Sequence, residues 1–254
     1  MISIILHGAC GQMGRVITQM AAEDRDITIA AGIDAFGEPY ADYPFYKKLS
    51  DCSEPADVIV DFSTAAAMDQ LIAYGTERNI PMVICTTGLS ETQLTSLKEA
   101  SQEVAVLRSG NMSLGINLLL KLLKTAAKTL CPNGFDPEII EEHHKKKLDA
   151  PSGTAIMLAD SINEAAGGKY SYTYGRSDRR SQRDPAEIGI SSVRGGSIVG
   201  VHDVLFAGQD EVIEIKHTAY SRAIFAKGAL AAAKFLAGRG PGLYDMSDVI
   251  GDES

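Results

Sequence analysis

Two imidazoles and three ammonium groups fall within the five residues His143-His144-Lys145-Lys146-Lys147, and the chain then runs through Leu148-Asp149-Ala150 into Pro151-Ser152-Gly153-Thr154. Imidazole is the side chain best suited to moving protons near neutral pH. Lysine adds a compact cation that fixes a carboxylate or donates a proton. Pro151 followed by Ser152 predicts a helix over 152–166 with Ser152 as its N-cap. The N–H groups of Gly153 and Thr154 would then point out of a helix N-terminus, with the Ser152 and Thr154 hydroxyls beside them. Such an end receives a carboxylate. The combination points to an acidic small molecule that is protonated as it reacts.

The run over 135–142 reads as a strand leading into the two histidines. Neighbouring strand residues take opposite faces, so His143 and His144 play different roles. If the strand continues, His143, Lys145 and Lys147 share parity, and His143 and Lys147 flank one substrate. A metal site is the competing reading. Adjacent histidines rarely chelate one zinc, and neither H-E-x-x-H nor a cysteine ligand is nearby, so no metal is expected. A solvated charge run suits Lys145 and Lys146 individually, but leaves unexplained why the run abuts a helix start. His7 reads as structural or as a neighbour of the glycine loop described next. His202 and His217, in strand patterns, read as packing or interface residues.

Strands and helices alternate through the first third: strands at 2–6, 27–33, 57–62, 81–85 and 104–107, helices at 15–22, 64–78 and 91–100. Continuous apolar strands separated by helices predict a parallel sheet covered on both faces, the doubly wound Rossmann-type pattern. Gly8, Gly11 and Gly14 lie between the first strand and its helix, spaced for a tight turn, a backbone approach to a pyrophosphate and close helix packing. The second strand ends at Asp34, 26 residues past Gly8 and near the ~20 expected for a ribose-binding acid. Ala35 follows it with no arginine adjacent, which favours NADH over a 2′-phosphorylated cofactor, although Arg15, Lys47 or Lys48 could reach a phosphate. The loops Thr86-Thr87-Gly88 and Ser109-Gly110-Asn111-Met112 follow the fourth and fifth strands, where ligands of such sheets sit. They read equally well as helix caps and turns.

The texture changes after Met112. A long amphipathic helix is expected over 113–130 with Leu114, Leu118, Leu122 and Ala126 at helical spacing. Residues 170–185 read as a mobile loop whose arginines (Arg176, Arg179, Arg180, Arg183) are solvated. Strands are expected over 188–194, 198–206 and 212–219, the first two joined as a hairpin by Gly195-Gly196 and the next two by a turn at Gln209-Asp210. This predicts a second, α+β domain with a mixed or antiparallel sheet, one face covered by helices and the other partnered or wet. A helix over 222–237 and a Gly-Pro-Gly tail close the chain.

Bulk properties leave room for such a site. The 254 residues carry a net charge of −9 and are 45% hydrophobic. The acidic balance argues against nucleic-acid binding and favours a cytoplasmic type of protein. No apolar run approaches the ~20 residues of a membrane span, and no signal-peptide pattern is seen. The cysteines Cys10, Cys52, Cys85 and Cys131 are far apart and read as reduced thiols.

The stretch from Glu142-His143-His144 through Lys147-Leu148-Asp149-Ala150-Pro151-Ser152-Gly153-Thr154-Ala155 resembles the signature of the dihydrodipicolinate reductase (4-hydroxy-tetrahydrodipicolinate reductase) family. Gly8-Ala9-Cys10-Gly11-Gln12-Met13-Gly14-Arg15, Asp61-Phe62-Ser63, Thr86-Thr87-Gly88 and the run from Asn111 to Asn117 resemble family segments in the right order. So do Arg194-Gly195-Gly196, Gly200-Val201-His202 and the run from Arg222 to Ala229, so the resemblance spans the chain. It implies reduction of a cyclic dicarboxylic imine-type substrate by NADH or NADPH in the diaminopimelate and lysine pathway. It implies proton transfer by His143 and Lys147, and substrate binding by His144, Ser152, Gly153 and Thr154. The cofactor would lie on Gly8, Ala9, Cys10, Gly11, Gln12, Met13, Asp34, Cys85, Thr86, Thr87, Ser109, Gly110, Asn111 and Met112. It further implies a homotetramer formed through the second domain's sheet. The final helix would return to the dinucleotide-binding domain, giving 1–112 with 220–254 as one domain and 113–219 as the other. Three positions depart from the family pattern. Cys85 stands where glycine is common, its side chain facing cofactor or core. Met112 replaces an aromatic, and Gln12 replaces an arginine. Other readings are a different nicotinamide enzyme acting on a related diacid, a non-catalytic NAD-binding module, and an assembly protein.

Overall fold

The computed structural model describes residues 1–177 and 180–251. Two compact units divide them, one comprising Met1–Leu114 with Ala223 onward and the other Gly115–Arg222. The chain order is β1 (Ile2–His7), α1 (Gln12–Glu23), β2 (Ile27–Ile33), β3 (Phe45–Tyr46), β4 (Val58–Asp61), α2 (Met68–Glu77), β5 (Met82–Ile84), α3 (Glu91–Ala100) and β6 (Ala105–Arg108). There follow α4 (Leu114–Leu130), β7 (Asp136–His143), α5 (Gly153–Ala165), β8 (Ser171–Thr173), β9 (Glu187–Arg194), β10 (Gly200–Ala207) and β11 (Val212–Ala219). The last elements are α6 (Ala223–Leu236), β12 (Gly242–Tyr244) and α7 (Met246–Ile250).

In the first unit seven strands form one sheet in the order β12-β6-β5-β4-β1-β2-β3, every neighbouring pair parallel. The apolar strands expected from sequence supply both faces. On one, Ile4, Leu6, Val58 and Val60 pack with Ile17 of α1 and Ala229 and Ala233 of α6. On the other, Ile5, Ile59 and Met82 pack with Leu71 of α2 and Leu97 of α3. The strand order reverses between β1 and β4, which is where open parallel sheets take their ligands. The helix α1 lies close to the sheet end because Gly14 has no side chain: a Cβ there would sit 2.2 Å from the Ala9 carbonyl oxygen. The Gly-Pro-Gly tail beyond α6 leads into β12 beside β6 and the helix α7.

The second unit holds a five-stranded sheet in the order β11-β10-β7-β9-β8. Its inner face packs on α4 and α5 through Ile139, Ile190, Val204 and Phe206 against Leu119, Leu123, Leu158 and Ile162. On the other face Ile140, Val193 and Val212 are exposed. The expected hairpin at Gly195-Gly196 does not form. After the α5 crossover, β9 runs parallel to β7 on one side, so β10 must take β7's other side, antiparallel. Gly195-Gly196 therefore crosses the end of β7, with Gly195 N–H donating to the His143 carbonyl at 2.9 Å. The hairpin between β10 and β11 forms as expected.

Two further expectations are corrected. The stripe Leu114, Leu118, Leu122 and Ala126 is not the buried face of α4: Leu118 and Leu122 are exposed, and Ile116, Leu119, Leu123 and Ala127 are buried. The helix carries two adjacent leucine-rich stripes, and periodicity alone does not choose between them. The stretch 170–185 contains β8, and two of its arginines are not solvated. Arg176 pairs with Glu138 at 2.6 Å and Glu187 at 2.8 Å, and Arg183 with Asp136 at 2.8 Å and Glu138 at 2.9 Å. Arg180 is exposed, and Arg179 lies outside the described residues. No helix among the described residues is long and apolar enough to cross a membrane.

Adding a methyl group at Gly14 would press on backbone rather than on a movable side chain. Gly14→Ala is expected to lower unfolding free energy by about 1–3 kcal/mol, the usual cost of overpacking. Urea denaturation measures the loss.

Candidate active site

The acid–base cluster is built at the end of β7. Glu141 and His143 are two residues apart, so their side chains leave the strand on the same face. His143 Nδ1 lies 2.6 Å from Glu141 Oε2. Glu141 is fully buried, and Arg194 reaches it with two nitrogens, at 2.8 Å on Oε2 and 2.7 Å on Oε1. The register makes this possible: Arg194 on β9 stands beside His143, and His202 on β10 stands opposite Glu141. Burial disfavours the Glu141 carboxylate, but hydrogen bonds from Arg194, Ser192 and His143 outweigh it and hold the carboxyl down at about 2. Burial pushes the His143 imidazole below its ordinary value, against the pull of Glu141.

The start of α5 is tied to the same carboxylate. Ser152 N–H donates to Glu141 Oε1 at 3.1 Å. The Ser152 hydroxyl caps the helix by accepting from Ala155 N–H at 3.1 Å, and shares a 3.1 Å hydrogen bond with His202 Nε2. The His202 ring stands edge-on to His143, with centroids 5.2 Å apart. Gly200 leaves space at the other nitrogen of His143, since a Cβ there would lie 3.2 Å from Nε2. Gly153, the first residue of α5, is exposed, and Thr154 is half-buried.

The strand ends at His143, so the parity expected to carry on to Lys145 and Lys147 does not apply. A turn takes over, with Lys147 N–H donating to the His144 carbonyl at 3.0 Å. Lys147 Nζ is held 2.8 Å from Asp149 Oδ1, and its ammonium draws the Asp149 carboxyl below the usual range. Lys145 and Lys146 are exposed. His144 is half-buried, with a sealed Nδ1 that has no hydrogen-bond partner. Among the described residues no cluster of His, Cys, Asp and Glu is arranged to hold a metal ion.

In the first unit the glycine loop closes on itself at the end of β1. Gly8 has φ +81° and a Cβ there would meet the Phe62 carbonyl oxygen at 2.5 Å, so only glycine lets the β1 and β4 loops meet. Gly11 is the N-cap of α1, no side chain caps that helix start, and no acidic residue stands in its first turn. A helix end of this kind suits a phosphate. The Asp34 carboxylate accepts from the backbone N–H groups of Cys10 at 2.9 Å, Phe36 at 3.1 Å and Gly37 at 2.8 Å. Burial opposes its ionisation, and these three donors overcome it and lower its pKa. Beside it Arg15 Nε donates to the Cys10 carbonyl at 3.3 Å and the guanidinium lies over the Tyr40 ring at 4.1 Å. Lys47 Nζ is 2.6 Å from the Gly37 carbonyl oxygen. Thr86 is buried with an unpartnered hydroxyl, a polar atom left for a ligand, while Thr87 is exposed. The Asn111 side chain accepts from Ser113 N–H at 2.8 Å, next to the half-buried Ser109 and exposed Gly110. Ala9, Met112, Met13 and Cys85 are committed to the core, the last two partly buried. Cys85 thus faces the core, where burial and then Asp61 push its thiol well above the usual range. These residues fit a dinucleotide.

The profile "Dihydrodipicolinate reductase, N-terminus" matches residues 2–112, and "Dihydrodipicolinate reductase, C-terminus" matches residues 115–250. The chain belongs to the dihydrodipicolinate reductase family. It is 52% identical over 250 residues to the 4-hydroxy-tetrahydrodipicolinate reductase of Caldanaerobacter subterraneus subsp. tengcongensis, covering 98% of both chains. It is 47% identical over 246 residues to the enzyme of that name from Clostridium tetani, covering 97% of this chain and 96% of the relative. The fold is shared with a dipicolinate-bound dihydrodipicolinate reductase from Paenisporosarcina sp. TG-14, with a TM-score of 0.82 at 24% identity over 96% of this chain and 97% of that one.

Three site residues of this family member escaped the sequence reading. Glu141 was legible in principle, because i, i+2 spacing in a strand places it beside His143. Arg194 comes from a different strand, and no local pattern announces its pairing. His202, expected to be a packing or interface residue, is buried against His143 and also holds the Ser152 hydroxyl, a contact created by strand register. His7 lies 2.9 Å from the fully buried Asp61 at the β1–β4 switch point, next to the glycine loop.

Burial, and then the charge of His143, press His202 down from 6.5 to about 4. The unfolded chain therefore binds a proton that the folded chain refuses between those values, so this contribution is complete above pH 6.5 and lost towards pH 4. Glu141 acts lower: its ionised form stabilises the fold above about pH 4.5, and that gain is lost as pH falls to about 2. His202→Asn is expected to shrink the loss in the upper window, which His143 and His217 share through the same direction of shift, and to leave the lower one. Melting temperature against pH for both proteins measures this.

Proposed function

We propose that the chain reduces 4-hydroxy-tetrahydrodipicolinate to tetrahydrodipicolinate with NADH or NADPH, in the diaminopimelate and lysine pathway. The observation that carries the reading is the buried Glu141–His143 pair tied through Ser152 to the start of α5. It joins a proton-transfer group to a carboxylate receptor in one stretch of chain, and the family match spans both units.

Bound at the glycine loop, the nicotinamide cofactor would supply the hydride. The chain's own residues manage charge and protons. The exposed Gly153 and half-buried Thr154 at the N-terminus of α5 receive one substrate carboxylate, with Ser152 holding that helix end in shape. The half-buried His144 contacts the substrate. His143 and Lys147 handle the protons: the 4-hydroxyl leaves as water with a hydrogen lost as a proton from the neighbouring ring carbon, and one further proton delivered to the ring balances the added hydride. Lys147 exchanges its Asp149 partner for the substrate as it does so. In the first unit Gly8 to Met13 cradle the pyrophosphate and Asp34 accepts the ribose hydroxyls. Cys85 to Thr87 and Ser109 to Met112 line the nicotinamide half, where Cys85 and Met112 offer backbone rather than side chain. Asp34 carries a charge that repels a 2′-phosphate, so NADH is used at least as well as NADPH. The exposed Ile140, Val193 and Val212 support a homotetramer assembled on the open face of the second sheet.

NADH oxidation is expected only when the product of dihydrodipicolinate synthase is present; oxidation with other diacids and not with this one refutes the reading. His143→Gln is expected to lower kcat by about 10²–10⁴-fold, the range for a positioned acid–base group, with NADH affinity nearly unchanged. Asp34→Ala is expected to weaken NADH more than NADPH, in fluorescence titrations with both nucleotides.

A further inference from the structure

Four groups converge on Glu141: His143 Nδ1, the two Arg194 nitrogens, Ser152 N–H and the Ser192 side chain. They come from its own strand, from the neighbouring strand β9 and from the helix that carries the proposed carboxylate receptor. Arg194 is anchored in turn, donating to the Asp149 carbonyl at 2.6 Å and the Val193 carbonyl at 2.7 Å. A carboxylate so confined has few orientations open to it. We propose that Glu141 is the positioning residue of this site. It holds the His143 ring with its proton on Nδ1 and its Nε2 free towards the space beside Gly200, and it sets the distance between that ring and the start of α5. The inference rests on His143 being the proton-transfer group, as in the reading above.

The physical case has two parts. An ionised carboxylate only accepts hydrogen bonds, so the ring nitrogen 2.6 Å from it must carry the hydrogen. In the neutral ring that leaves Nε2 as the lone-pair nitrogen. The second part is electrostatic. His143 faces Glu141 on its own strand, Arg194 on β9, His202 on β10 and Lys147 in the turn. Glu141 is the one anion of that set, and it favours the imidazolium that burial and the two cations oppose. A neutral amide in its place would lower the pH at which His143 titrates. It would also allow the ring to turn over, since an amide both donates and accepts. Purely structural damage would reduce folded protein without moving that titration.

The test combines kinetics with ¹⁵N-histidine NMR of the intact protein, the His143 signals being identified by their loss in His143→Gln. In the unmodified protein neutral His143 is expected to carry its proton on Nδ1. Glu141→Gln is expected to lower kcat by about 10²-fold, as for a catalytic group displaced by an ångström. NADH affinity should not change, and the His143 midpoint should fall by about one pH unit, the effect of removing a neighbouring opposite charge. Glu141→Asp keeps the charge that Arg194 requires but shortens the reach. It is expected to lose turnover while its midpoint stays nearer that of the unmodified protein, and it decides the matter if the Gln variant does not fold. A proton on Nε2 in the unmodified protein overturns the proposal, as does a Glu141→Gln variant with unchanged kcat and midpoint. If the unmodified protein fails to turn over the substrate, the functional reading falls, and the tautomer and midpoint still decide the positioning role.

Discussion

A carboxylate with no access to solvent must be neutralised where it lies, and in this protein that constraint falls on Glu141. An uncompensated buried charge costs about 3–5 kcal/mol, so the fold brings Arg194 to it from the adjacent strand with a two-pronged contact. Once that pair exists, other placements follow. His143 leaves β7 on the same face and donates to the same carboxylate. Ser152 can turn into α5 because its backbone N–H ends on Glu141, and its hydroxyl is then free to cap the helix. The Gly195-Gly196 crossing is held to the end of β7, which keeps Arg194 in register. The chemistry of the motif is local in sequence, yet its geometry is held by strands on both sides of β7.

The two units solve different problems. In the first, the strand order of the seven-stranded parallel sheet reverses between β1 and β4, and the backbone there is kept bare by Gly8 and Gly14. Asp34 holds this loop through Cys10 N–H, so the acid proposed to meet the cofactor's ribose is also part of the scaffold. In the second unit the sheet is mixed because β9 follows a helical crossover and must run parallel to β7. That topology puts β7 in the middle, where side chains from β9 and β10 reach its end together. An all-antiparallel meander would have placed Arg194 and His202 on successive strands, not on either side of Glu141.

Polar groups outside the site follow the same economy of charge. Arg176 and Arg183 gather Asp136, Glu138 and Glu187 at one end of the second sheet. Glu187 is nearly sealed from solvent, so it needs these partners as Glu141 needs Arg194. Arg176 and Arg183 read as solvated only as long as their carboxylate partners, Asp136 and Glu138, 38 to 47 residues earlier in the chain, and Glu187, 11 residues after Arg176, are out of view.

The sequence by itself determined the parallel sheet of the first unit, the glycine loop, the helix start at Ser152 and the residues that could move protons. Each of these is written in short-range spacing: apolar runs, small residues at a turn, a capping side chain, adjacent imidazoles. Tertiary structure decided what spacing cannot carry. It chose which leucine stripe of α4 is buried, because two adjacent stripes satisfy the same period. It replaced the Gly195-Gly196 hairpin with a crossing over β7, since the place of a strand in a sheet depends on the strands already laid down. It turned Cys85 and Met112 into the core and brought His202 to Ser152. Above all it joined Arg194 to Glu141, 53 residues away along the chain, because the cost of a buried charge is settled by whichever partner the fold brings near, not by its neighbours in sequence.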